Sequence, residues 1–307
     1  YACTEQSQSN EPSLPNQGRE LDVTIVRRDN EILDGYRDAL VILTSGTGEN
    51  ARVRTYSCWS RSCSGAFRKE SAVLVTYYDN TNNSMKLAFE PITNWNSEWM
   101  PLDIPPTTPA ALGGNVGQRT RVVYDPLHSL VHTLDYSPSE LGTLRHRTFD
   151  WSNSINGFSL VSTSEIAGGS SRVQYSALVV DEHGNPHVVY RQMGELIHSS
   201  GIQDPTSGVT TWSPQDVQVI DSSGDGYVDM TLDSSGDLHV SYYHEQDKIL
   251  KYARGSTSSA GDLIWSTEVV DDSFEVGAYS AIDLDHTGSV YIAYSDGQNG
   301  NLKLAHN

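Results

Sequence analysis

The chain has 307 residues, of which 37% are hydrophobic, and 39 acidic against 20 basic residues give it a net charge of −19 at pH 7. This apolar content is enough for the core of one large domain or two small ones. The negative charge disfavours nucleic acid as a partner, and no apolar run approaches the roughly 20 residues that span a bilayer as a helix.

Residues 1–19 are predicted to be a disordered polar tether. Cys3 precedes the run TEQSQSNEPSLPNQGRE, which resembles the tether after the lipidated first cysteine of bacterial lipoproteins. Two interpretations of Cys3 stay open: a lipid anchor, which would be the only route to a membrane, or an unpaired thiol in a disordered N-terminus.

The next segments alternate apolar and polar residues as strands do. They are ELDVTIVRRD at residues 20–29, YRDALVILT at residues 36–44, and SAVLVTYYDNTNNSMKLAFE from residue 71. An insertion of roughly residues 45–70 separates the last two. Within it, residues 51–69 hold four arginines and a lysine but no acid.

This insertion suggests a stapled, basic hairpin. Cys58 and Cys63 are close enough in sequence to form a small disulfide loop, which implies an exported protein, periplasmic or extracellular. The candidate partner-binding residues are Arg52, Arg54, Trp59, Arg61 and Arg68, which suit an acidic partner. The alternative is a solvated loop whose arginines pair with the acidic surface.

Three clear repeats begin at Tyr175, Tyr227 and Tyr279, 52 residues apart, and degenerate copies begin at Tyr36 and Arg119. Each copy has a strand, a D-x-x-G turn, a second strand that usually ends in Tyr, and a third strand. Five such units predict an all-β, five-bladed β-propeller with four-stranded antiparallel blades, a single domain over residues 20–307. Because the last copy stops after three strands, residues 20–29 are expected to supply its fourth.

The pattern Y-S-A-x-x-L-D-x-x-G-x-x-H/Y-[IV]-x-Y, followed by L-K-Y-A and W-S-x-E-x-V-D, resembles the tandem repeats of secreted or surface β-propeller proteins of bacteria and archaea. Residues 227–271 and 279–305 carry it best. The resemblance implies the fold, export and a binding role, and it implies no catalytic motif.

Blade-start residues and the ends of the second strands are expected to meet at the mouth of the central channel. The candidate ligand-binding residues there are Tyr36, Asp38, Arg121, Tyr175, Arg191, Tyr227, Asp229, His244 and Tyr279. Tyrosine offers a sugar or peptide both an apolar face and a hydroxyl group. The alternative is that each tyrosine packs between blades.

DSSGD occurs twice, at residues 221–225 and 233–237. The second copy is predicted to be a tight turn. The first, with Asp221 and Asp225, is a weak calcium candidate because Leu232 stands where an EF-hand-like loop needs a bidentate Glu. No cofactor is otherwise expected.

The leading hypothesis is an exported, non-catalytic binding module that takes a glycan or peptide at the channel mouth or docks in a cell-envelope complex. The alternative is a carbohydrate-active hydrolase that uses the carboxylates Asp38, Asp79, Asp229 and Asp296. A third possibility is a rigid structural spacer.

Overall fold

A computed structural model describes the protein. It covers residues 48–56, 72–79, 84–91, 100–103, 118–125, 127–137, 142–150, 159–167 and 173–307, except 223, 225, 260 and 286. Side chains are described from residue 120 onward. Where it is described, the chain is all-β, and it has no helix long and apolar enough to cross a membrane.

Nineteen strands make up the described secondary structure, and most are seven to nine residues long. They are β1 Gly48–Tyr56, β2 Ala72–Asp79, β3 Ser84–Pro91, β4 Met100–Asp103, β5 Gln118–Asp125, β6 Leu130–Ser137, β7 Thr143–Asp150, β8 Ser159–Ala167, β9 Val173–Val180, β10 Pro186–Gln192, β11 Glu195–Gln203, β12 Thr210–Asp221, β13 Val228–Leu232, β14 Leu238–His244, β15 Ile249–Thr257, β16 Leu263–Asp271, β17 Val276–Leu284, β18 Val290–Asp296 and β19 Asn301–His306.

These strands form antiparallel meanders in which each strand pairs with the next in sequence. Four sheets have four strands, β1–β4, β5–β8, β9–β12 and β13–β16, and the last has three, β17–β19. We call them the first to fifth sheets. The prediction of an all-β chain built from four-stranded antiparallel units is confirmed.

Successive sheets pack face to face, as the blades of a propeller do. The leading strand of each sheet contacts the leading strand of the next, from β1 through β5, β9 and β13 to β17, whereas the fourth strands β8, β12 and β16 touch only weakly. The leading strands are therefore the inner ones. Among the described side chains, three apolar cores lie between sheets, typified by Leu134 and Val188, by Val189 and Val240, and by Leu250 and Ile292.

The D-x-x-G motifs form the turns between first and second strands. In the second DSSGD copy, one carboxylate oxygen of Asp233 accepts the backbone N–H groups of Ser235 and Asp237, at 2.8 and 2.9 Å. Gly236 has a φ of +85°, which favours glycine. Asp181 and Asp285 cap their turns in the same way, so the turn prediction is confirmed and needs no metal.

The structure corrects the predicted insertion. Residues 48–56, placed there by the sequence analysis, form strand β1, which pairs with β2 from Gly48 opposite Asp79 to Tyr56 opposite Ala72. The segment between the two strands is therefore residues 57–71. The mistake arose because the weak first repeat hid a strand whose Val53 and Thr55 alternate with arginines. Residues 1–47, including Cys3, Tyr36 and Asp38, lie outside the described residues.

Candidate functional site

A row of tyrosines lies where the inner strands of the last three sheets begin. The ring centroids of Tyr175 and Tyr227 are 4.4 Å apart, and those of Tyr227 and Tyr279 are 4.3 Å apart. Tyr175 and Tyr227 are partly buried, whereas 57% of Tyr279 is exposed. The structure thus brings together three predicted ligand residues, and their rings form one continuous aromatic surface, the tyrosine row.

The strand register shows which residue of the first sheet holds the position that Tyr227 holds in the fourth. The N–H of Tyr243 donates to the carbonyl of Tyr227, so these two residues face each other across β13 and β14. In the first sheet, Tyr78 stands at the position of Tyr243 and is paired with Glu49. Glu49 was missed because its strand was taken for a loop; the match between VTYY and VSYY was the signal that could have found it.

The arginines predicted at the site are buried. Arg191 is fully buried and donates to the carbonyls of Gly224 and Tyr243 in the next sheet, at 3.1 and 2.7 Å. Its guanidinium lies 5.4 Å from the centre of the Tyr242 ring. Arg121 is 6% exposed and donates to the carbonyl of Thr120. Arg191 therefore joins the third and fourth sheets, and neither arginine presents an open charged surface.

Asp229 and His244 also make contacts within the fold. The Asp229 carboxylate accepts the backbone N–H of Ile282 at 3.0 Å, which connects the inner strands β13 and β17. His244 is buried, and its Nδ1 lies 3.1 Å from the exposed carboxylate of Asp247. Asp229 thus makes a structural contact between two inner strands, and His244, the last residue of β14, contacts the turn that follows it.

Two Asp–Tyr–Lys clusters connect consecutive sheets. Asp221, the last residue of β12, accepts hydrogen bonds from the hydroxyl of Tyr242 and the ammonium of Lys251 in the fourth sheet, at 2.7 and 2.6 Å. Burial, followed by the hydrogen bond to Asp221, raises the pKa of Tyr242 well above its usual value. The carboxylate of Asp221, the weak calcium candidate, therefore already binds one hydroxyl and one ammonium group of the protein. Asp225 is outside the described residues.

Asp271, at the end of β16, repeats the arrangement. Its carboxylate accepts from the hydroxyl of Tyr294 at 2.7 Å and from the ammonium of Lys303 at 3.2 Å. Burial alone would raise the pKa of Asp271, but hydrogen bonds from Ser273, Tyr294 and Lys303 lower it below its usual value. Among the described residues, no group of three or more His, Cys, Asp or Glu side chains is placed to hold a metal ion.

Histidine pairs connect the second and third strands of the second and third sheets. The Nδ1 of His132 lies 3.0 Å from the Nε2 of His146, and the Nδ1 of His187 lies 3.2 Å from the Nε2 of His198. A tryptophan from the fourth strand of the following sheet covers the histidine on the third strand: Trp212 lies 5.3 Å from His146, and Trp265 lies 5.3 Å from His198. Burial lowers the pKa of His132 to about 4 and that of His198 to about 3. His132 and His198 are therefore neutral parts of the core.

Among the carboxylates of the hydrolase alternative, Asp296 does not suit the role of general acid. Asp296 is buried, and hydrogen bonds from Asn299 hold its pKa below the usual value. A general acid needs a raised pKa. Asp79 ends β2, where only the backbone is described.

The basic insertion divides between two places. Arg52 and Arg54 lie on β1, opposite Thr76 and Leu74, so they are not part of a loop. Trp59, Arg61 and Arg68, together with Cys58 and Cys63, fall between β1 and β2 and lie outside the described residues.

No known protein-family model matches the chain, and no curated protein matches it. Similar solved structures include the NanB sialidase of Streptococcus pneumoniae, with a TM-score of 0.47, 16% identity and 72% of this chain covered. The chain spans 34% of that sialidase. Another is AofleA from Arthrobotrys oligospora, with a TM-score of 0.49, 12% identity, 84% of this chain and 68% of that chain. A third is an exo-β-1,3-galactanase from Phanerochaete chrysosporium, with a TM-score of 0.44, 10% identity, 83% of this chain and 59% of that chain.

Proposed function

We propose that the protein is an exported, non-catalytic binding module whose ligand is a glycan held at the mouth of the central channel. The observation that carries the proposal is the tyrosine row, with three rings spaced 4.3–4.4 Å apart where successive inner strands begin. Aromatic rings stack on the apolar faces of sugars, and tyrosine hydroxyls supply hydrogen bonds.

The equivalent positions of the other two sheets hold polar residues. Glu49 holds the position in the first sheet, and Arg119, next to Gln118 at the start of β5, holds it in the second. Three aromatic and two charged residues around one mouth suit a neutral or mixed-charge sugar.

The proposal includes a closed ring of five blades. The outward face of the fifth sheet is exposed although its residues are apolar: Leu302 is 80% exposed and Leu304 is 63% exposed. In the fourth sheet, the residues at the same register positions, Leu250 and Tyr252, are 0% and 8% exposed because the fifth sheet covers them. Packing of the first sheet on this face, with residues 20–29 as the fourth strand of the fifth sheet, would close the ring.

Export is proposed from the sequence, with a Cys58–Cys63 disulfide and lipidation of Cys3 as its marks. A second, weaker role is docking to an acidic partner through Trp59, Arg61 and Arg68 between β1 and β2. Arg52 and Arg54 drop out of that surface because they lie within the first sheet.

Binding of the full chain to a glycan microarray tests the proposal. Tyr279→Ala should weaken binding to the strongest ligand about tenfold or more, the effect of removing a central aromatic contact. Tyr291→Ala is the matched control, because Tyr291 is 37% exposed on the same sheet but outside the row. Glu49→Gln should change which sugars bind.

Hydrolysis assays on a polysaccharide panel separate binding from catalysis. The proposal expects binding without turnover. Turnover that Asp229→Asn abolishes would replace it with the hydrolase alternative, and loss of binding in Tyr291→Ala but not in Tyr279→Ala would move the site away from the row.

A further inference from the structure

The cavity between the fourth and fifth sheets has the features of an empty side-chain site. Its volume is about 240 Å³, and it is lined by Tyr252 and Val270 on one side and by Val290, Ile292 and Asn307 on the other. It lies along β19, which has no hydrogen-bonded neighbour on its outer edge among the described strands.

The other sheets show what belongs in such a cavity. In the third sheet, Trp212 lies beside Gly201 and covers His146 of the preceding sheet. In the fourth sheet, Trp265 lies beside Gly255 and covers His198. For the fourth strand of the fifth sheet, the neighbouring residue that corresponds to Gly255 is Asn307. The residue of the preceding sheet that corresponds to His198 is Tyr252. Both of them line the cavity. A side chain from a fourth strand therefore belongs there.

The Asp–Tyr–Lys clusters indicate which segment supplies this fourth strand. Tyr242 pairs with Lys251, and Tyr294 with Lys303, and each pair receives an aspartate from the end of the preceding fourth strand. In the third sheet Tyr190 pairs with Ile197, and the preceding strand β8 ends at Ala167 without an acid. An aspartate at the end of the preceding fourth strand therefore occurs where the third strand carries the lysine, and is absent where it does not.

The first sheet retains the cation. Tyr77 pairs with Lys86 in the same register. In a closed ring the fifth sheet precedes the first, so we expect an aspartate at the end of the fifth sheet's fourth strand. The segment LDVTIVRRD ends at Asp29, and aligning Asp29 with Asp271 places Val23 at the position of Trp265 and Leu21 at that of Leu263. Residues 36–44 have the right alternation but no acid at their end.

We infer that residues 20–29 pair with β19 in one defined register, which places Val23 at the position beside the cavity and Tyr252, and Asp29 at the position that Asp271 holds relative to its Tyr–Lys pair, here Tyr77 and Lys86. This inference rests on the closed ring of the proposed function and adds the residues that fasten it. Residues 30–47 can span on the order of 60 Å when extended. That is ample to cross a four-stranded blade roughly 15 Å wide.

Thermal unfolding of the full chain tests the register with two matched pairs of variants. Asp29→Asn should lower Tm by about 3–6 °C, and Asp22→Asn, in the same segment, should leave Tm unchanged. Lys86→Met combined with Asp29→Asn should lower Tm no further than the larger single change. Val23→Trp should raise Tm because the equivalent sites hold tryptophan, whereas Leu21→Trp should not.

Three outcomes would overturn the inference, and they can be told apart. If Leu21→Trp raises Tm, Asp29→Asn leaves Tm as unchanged as Asp22→Asn does, and deletion of residues 1–29 still lowers Tm, then the segment closes the ring in a different register. If that deletion changes nothing, the closed ring fails as well. If the full chain is a dimer that dissociates on deletion, the strand comes from a second copy. None of these outcomes alters the glycan-binding assay of the tyrosine row.

Discussion

Mild acid should destabilise the fold through its buried histidines. His132 and His198 have pKa values of about 4 and about 3 in the folded chain, against 6.5 when exposed. Their folded pKa values are lowered, so the unfolded chain binds more protons below pH 6.5. The stability they contribute is fully present above 6.5 and falls as pH drops from 6.5 towards 4 and 3.

The size of this effect follows from linkage. Below pH 6.5, each histidine lowers the free energy of unfolding by about 1.4 kcal/mol per pH unit. Together, His132 and His198 lower it by about 5 kcal/mol between pH 6.5 and 4.5. This is a large share of the roughly 5–15 kcal/mol by which domains are stable. Carboxylates with lowered pKa values, such as Asp221 and Asp233, add their loss only when pH falls below their unfolded value near 4.

Urea unfolding measured at half-unit steps from pH 7.5 to 4.5 gives the assay. His198→Gln should reduce the slope of unfolding free energy against pH in the window from 6.5 to 4.5 by about one proton. His183→Gln is the control because the side chain of His183 is 72% exposed. If His198→Gln and the unaltered chain show the same slope, His198 is not a neutral core group and the reasoning fails.

Further predictions concern contacts between strands and sheets, and urea or thermal unfolding checks each of them. Asp221→Asn should destabilise by about 1–3 kcal/mol, because buried Tyr242 loses a charged acceptor, and equal stability would show that the cluster contributes nothing. Gly201→Ala should cost about 1–3 kcal/mol, because the new Cβ would lie 2.6 Å from Thr210 and 3.0 Å from Trp212. Gly236→Ala, where the space is open but φ is +85°, should cost about 1–2 kcal/mol from backbone strain alone. A Gly201→Ala variant as stable as the unaltered chain would contradict the close packing of Thr210 and Trp212 on Gly201.

The sequence predicted the parts of the fold that local chemistry dictates. The 52-residue period was visible because each D-x-x-G turn needs an aspartate cap and a glycine with positive φ, as at Asp233 and Gly236. Strand β1 was missed because its repeat lacks that turn signature. The tyrosine row was found from the period alone, but only the structure shows that Tyr175, Tyr227 and Tyr279 contact one another.

Contacts between sheets were the part that the sequence did not reveal. Arg191 looked like a ligand residue because it departs from the repeat, yet it donates to two backbone carbonyls of the next sheet. Backbone acceptors have no sequence signature. The Asp–Tyr–Lys clusters join residues of two sheets that are 21 to 32 positions apart in sequence. Their signal was the lysine that follows the leucine of each third strand, as in Lys251 and Lys303.

The most direct test of the central claim is a crystal structure of the full chain with the glycan that binds most strongly on the array. The account predicts a sugar ring within about 4 Å of the Tyr227 or Tyr279 ring, at the channel mouth. A sugar bound on the face that carries the D-x-x-G turns, or along residues 57–71, with the tyrosine row uncovered, would contradict it.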